Sequence, residues 1–257
     1  MPDIDQCRPY RALIHKEWRE QRWKLAYSCV LLFGVAGIGF RSHMCEDDGI
    51  VALVLLIGGL CLPLLAAVGV AGTERESGTL PFLQALPLRP GRILSIKMLA
   101  ALLVCLLPLG LTTLLSAAWV GGRDMSTGHI LHLGLAIMWI AANVVVWTVA
   151  LSVTQRTEGR VGMVGMAIII AWFMHIMLWG RMMNPSFLDG TWTDVFFAIN
   201  PCAVMDPIHA IGSNAPAVIL SREWVRLVCL LAQGVLLLVL LWWWACRRFS
   251  LMGRTAQ

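Results

Sequence analysis

Charge is scarce in this chain. Only 14% of its 257 residues are Asp, Glu, Lys or Arg, against about a quarter in soluble domains. The centres of its long apolar tracts carry no charged residue, which argues against a proton- or sodium-coupled carrier, since such carriers need charge inside the membrane. No G-x-x-x-x-G-K-[ST] occurs, so any ATP hydrolysis falls to another polypeptide. Neither H-E-x-x-H nor G-x-S-x-G is present, which removes the signatures of a membrane metalloprotease and of a serine hydrolase. Cys-x-x-Cys is also missing. The eight cysteines are scattered, and most lie in apolar tracts where Cys behaves as a small hydrophobe. Cys45 and Cys202 fall in two expected outer connections, and their pairing in an oxidising compartment stays open.

What is abundant is apolar surface. Hydrophobic residues make up 58% of the chain, and the mean hydropathy is +0.75. A water-soluble fold cannot hide that much, so the expected solvent is lipid. Uncharged or nearly uncharged tracts occupy 25–40, 49–72, 98–120, 129–153, 161–180 and 224–246. Each approaches the ~20 residues that a helix needs to cross the hydrocarbon core. No ten-residue alternation of a membrane barrel is seen. The expected fold is an all-α integral membrane protein with six transmembrane helices, taken as one domain over 1–257.

Six spans put both termini on one side. Fifteen of the 20 Lys and Arg lie before the first span, between the second and third, between the fourth and fifth, or after the sixth. By the positive-inside rule both termini are then cytoplasmic. The net charge of +5 therefore reflects topology and contact with anionic lipid, not nucleic acid. The polar N-terminal segment is longer than a usual signal-peptide n-region, so the first span is expected to stay as an anchor.

Residues 1–24 carry Tyr10, Leu13, Ile14 and Trp18 at helical spacing, flanked by Lys16, Arg19 and Arg22. That pattern predicts an amphipathic helix lying along the inner surface. The fifth connection, 181–223, is long and broken by Asn184-Pro185, Asn200-Pro201, Asp206-Pro207 and Ala215-Pro216. Its apolar pieces are too short to span, so short outer helices, interfacial or re-entrant, are expected between spans five and six. Within the spans, Thr112, Ser116, Asn143 and Gln233 are candidates for interhelical hydrogen bonds or for lining a path. Met174, His175 and Met177 carry donors that suit Cu(I), although Met at helical spacing is ordinarily core filler.

The interruption "TERESGTLPFLQALPLRPGR", residues 73–92, falls on the cytoplasmic side. Thr73 and Glu76 fit a capping box, and Gly78 can break the helix leaving the membrane. Pro81 suits a first helical turn, and Pro87 ends what it starts. Phe82, Leu83 and Leu86 then share one face of a two-turn helix, ~10 Å long. An exposed apolar face tied stiffly to two spans needs a partner.

Here the sequence resembles the permease (transmembrane) subunits of type-2 ATP-binding-cassette (ABC) exporters. The resemblance rests on Glu74, Arg75, Glu76, Gly78, Thr79, Leu80, Leu83, Pro87, Leu88, Arg92 and Lys97, with Arg89-Pro90 departing from the family's usual Ser and basic residue. "HKEWREQRWK", containing Lys16, Glu17, Trp18, Arg19 and Arg22, is similar to the family's first interfacial helix, and "INPCAVMDPIHA" more loosely to the stretch before its last span. It implies a multi-pass protein of the cell (inner) membrane whose segment from Gly78 to Pro87 is a coupling helix seated in a separate ATPase. It further implies two ATPase copies carrying ATP and magnesium, a second permease subunit, and no cofactor or catalysis of the chain's own. Export of an amphiphilic or hydrophobic substrate is the leading expectation. The alternative is a non-transporting, ATPase-linked sensor or assembly factor, including one for copper-enzyme maturation.

Overall fold

The computed structural model describes residues 4–41, 53–68, 70, 89–120, 127–155, 157–182, 199–212 and 217–252. These form α1 (Ile4–Arg41), a π-helical stretch (Leu55–Cys61) running into α2 (Leu62–Val68), α3 (Pro90–Val120), α4 (Thr127–Thr154) and α5 (Glu158–Met182). A 3-10 turn (Pro201–Val204) leads into α6 (Met205–Gly212), and α7 (Ala217–Met252) closes the order. Among the described residues there is no strand. By length and composition Pro90–Trp119, Thr127–Thr154 and Glu223–Phe249 are each able to cross a membrane.

The expected interfacial segment and the first expected span are continuous in the backbone. α1 is one helix of 38 residues, about 57 Å long at 1.5 Å per residue. Residues 10–33 contain neither Gly nor Pro, so nothing interrupts the backbone ladder where the chain turns from polar to apolar. Of the expected apolar stripe, Leu13 turns inward while Ile14 and Trp18 stay outside. Leu13, Glu17, Gln21, Ser28, Leu32 and Ala36 are buried, whereas Ile14, Trp18, Trp23 and Tyr27 are exposed. In lipid an apolar face has no need of burial, and it is the polar groups that turn toward the protein interior.

Contacts give each helix a direction. α1 and α3 are parallel: Leu13 clusters with Ile93, Glu17 meets Lys97, and farther along Leu32 clusters with Leu109. α4 runs against α3, with Thr113 against Gly134 and Leu94 and Met98 in a cluster with Val149 and Val153. α7 also opposes α3, through Gly91 with Cys246 and Ser95 with Trp242. α4 is the central helix, with 72% of its most apolar stretch buried, against 11% for α7. It touches α2, α3, α5, α6 and α7. Small residues permit the closest approaches. A Cβ at Gly234 would collide with the Trp139 ring, and one at Gly134 with the Thr113 side chain.

Asn200 sets the entry of the 3-10 turn. Its Oδ1 accepts from the Cys202 N–H (3.0 Å), and its Nδ2 donates to the Trp172 carbonyl (3.1 Å). Cys202 is buried in a cluster with Leu60, Ile140, Val144 and Trp172, and Asn200 lines a small void with Trp139, Asn143 and Gly234. These partners lie near the middles of α4, α5 and α7. The irregular backbone of this part is thus enclosed by protein rather than left open. Of the apolar piece "WTDVFFAI" in this connection, residues 192–198 lie outside the described residues, as does Cys45.

Candidate functional site

The first two turns of α3, beginning at Pro90, are gripped from every side. The Arg89 carbonyl accepts from the Arg92 and Ile93 N–H groups (2.9 and 3.3 Å). Pro90 opens the helix, where its missing N–H costs nothing and its fixed φ is already helical. The Arg89-Pro90 departure thus has a local use as a helix start.

On the α1 side, Leu13 seals Ile93, and one turn on the Lys97 Nζ donates to Glu17 Oε1 at 2.7 Å. The two side chains are only 6% and 4% exposed. Such a pair is a poor source of net stability, because desolvation offsets the attraction. It is strongly directional, since either charge parted from the other stays desolvated. The pair therefore fixes the register of α1 on α3.

On the α7 side, the Trp242 indole N–H donates to Ser95 Oγ (3.1 Å), Ser95 Oγ lies 3.5 Å from Cys246 Sγ, and the Cys246 thiol donates to the Gly91 carbonyl (3.5 Å). On the remaining sides, Leu94 and Met98 join one cluster with Ala66, Ala67 and Val70 of the α2 end, Val149 and Val153 of the α4 end, and Phe249 of α7. Both chain ends that flank residues 71–88 are anchored in this one cluster.

The expected site residues fall into three groups. Glu74, Arg75, Glu76, Gly78, Thr79, Leu80, Phe82, Leu83, Leu86 and Pro87 lie outside the described residues. Of the N-terminal set, Glu17 is brought to Lys97, while Lys16 faces Glu20 at 3.7 Å and Arg22 stacks 5.6 Å over the Trp23 ring. Trp18 and Arg19 are exposed.

Two of the four polar span residues bond back to their own helices. Thr112 is buried and donates to the Pro108 carbonyl one turn back (2.8 Å), and Asn143 donates to the Trp139 carbonyl (2.9 Å). Ser116 is half-buried and Gln233 is exposed. Met174 is exposed, and the side chains of His175 and Met177 lie outside those described. Sequence reasoning singled out Glu17 and Lys97 separately without joining them, and it passed over Ser95, Trp242 and Cys246. A lone Lys at the start of an apolar helix was the available signal for the first pair; the second group had none.

A bundle of long apolar helices packed around α4, three of them long and apolar enough to cross a bilayer, suits an integral membrane protein. Residues 12–249 match the family model described as ABC-2 family transporter protein, and the chain belongs to that family. No curated protein matches it.

Proposed function

We propose that this chain is the permease subunit of an ABC exporter, forming the path for an amphiphilic or hydrophobic substrate and driven by a separate ATPase. Family membership makes it a membrane transport component. The observation that carries the finer reading is the clamped start of α3. A force applied to residues 73–92 meets α3 where Glu17, Trp242 and Cys246 hold it, and so reaches α1, α3 and α7 together. The ATPase would carry ATP and magnesium, with two copies serving a pair of permease subunits, and this chain would perform no catalysis itself.

The alternating directions of the helices support six passes. The start of α3 and the ends of α4 and α7 share one end of the bundle with the N-terminal half of α1. The basic residues gather at that end, among them Arg89, Arg92, Arg247 and Arg248, which favours a cytoplasmic face and cytoplasmic termini in the cell (inner) membrane. The uncharged spans suit cargo that is itself largely apolar.

The test is affinity purification of the full chain from its native membrane in mild detergent, with partners identified by mass spectrometry. A P-loop ATPase in stoichiometric amount is expected. A chain recovered without any ATPase overturns the reading.

A further inference from the structure

The last two turns of α4 and the second half of α7 pack together on one face and part on another. Trp147, Leu151 and Thr154 on one side, and Leu237, Leu240 and Trp244 on the other, border a cleft of about 360 Å³ open to the outside of the bundle. That volume lies in the range of ligand pockets, ~300–1,000 Å³. Its walls are almost wholly apolar, and the one hydroxyl among them, on Thr154, donates to the Leu151 carbonyl of its own helix (2.7 Å). A sugar or a peptide would find too few hydrogen-bond partners there, whereas a hydrocarbon chain needs none.

An apolar cleft facing a bilayer selects nothing by itself, because lipid tails are as apolar as leucine. Selection has to come from its mouth. Arg248 follows Trp244 by four residues, one turn along the same face, and both arginines 247 and 248 are exposed. Arg247 stacks 5.3 Å over the ring of Trp243. Tryptophans at the mouth mark the head-group level, and basic residues between helices at that level suit anionic head groups.

We propose that the cleft between α4 and α7 holds one acyl chain of an anionic phospholipid whose head group rests on Arg247 and Arg248. The lipid fills the gap and joins α7 to the central helix. This inference needs only that α7 crosses the membrane, so it stands or falls separately from the ATPase reading.

The experiment is native mass spectrometry of the full chain in mild detergent, followed by titration with phosphatidylglycerol and with phosphatidylcholine of the same chain length. The wild type should retain one phosphatidylglycerol in preference to phosphatidylcholine. R247Q/R248Q should weaken phosphatidylglycerol about 25-fold, at about five-fold per basic residue. L240W, which fills the cleft from its exposed rim, should displace the lipid with both arginines intact. R160Q, an exposed charge on α5 away from the cleft, should change neither. Equal retention of the two lipids, or retention indifferent to R247Q/R248Q or to L240W, overturns the proposal.

Discussion

Glu17→Leu leaves the Lys97 ammonium in a site where its side chain is 6% exposed, with its 2.7 Å counter-charge gone. Breaking a buried pair from one side costs about 3–5 kcal/mol, because the surviving charge stays desolvated. Lys97→Met makes the mirror-image error, stranding a carboxylate that is 4% exposed. For a chain of this size such losses lower the melting temperature by on the order of 10 °C. Replacing both at once, Glu17→Leu with Lys97→Met, removes the two charges together, and apolar replacements of buried pairs are often neutral or stabilising. The three variants and the wild type form a double-mutant cycle, read by thermal unfolding in detergent micelles. The expected result is two damaging single changes and a double variant at or above wild-type stability. Single changes that shift melting by only a degree or two, or effects that simply add, would mean the pair is hydrated and does not fix α1 on α3.

Other outcomes follow from the same geometry. Gly234→Leu drives a side chain into the Trp139 ring and should destabilise by about 1–3 kcal/mol through overpacking, measured by the same melts. Asn200→Leu removes the bonds to the Trp172 carbonyl and the Cys202 N–H; it should cost about 1–3 kcal/mol and speed labelling of the buried Cys202 by a thiol reagent. Gln21 Oε1 is buried without a hydrogen-bond partner among the described residues, so Gln21→Met should leave melting unchanged or raise it. A fall of several degrees would show that this amide is satisfied after all.

How much was legible depended on which force acts locally. Long uncharged tracts foretell membrane helices because length and apolarity are what lipid demands, and α3, α4 and α7 follow them. The face that α1 turns inward was not legible. Tyr10, Leu13, Ile14 and Trp18 form the stripe a soluble helix would bury, yet Ile14 and Trp18 are exposed and Glu17 and Gln21 are buried. The continuity of α1 was readable from the absence of Gly and Pro in residues 10–33. The partnership of Glu17 with Lys97 was not, because 80 positions separate them and their meeting depends on how α1 and α3 pack. The Ser95, Trp242 and Cys246 contacts were invisible for a similar reason. Those residue types recur throughout the chain, and only the antiparallel register of α3 and α7 gives these three copies a role.

The central claim is that a separate ATPase grips residues 73–92 and drives the bundle through the clamped start of α3. The most direct test places Asp at Leu83 and Leu86 in the tagged full chain and measures how much P-loop ATPase is recovered with it from the native membrane. The account predicts loss of the ATPase from a chain whose melting temperature is unchanged. ATPase recovered at the wild-type ratio with both aspartates present would contradict it.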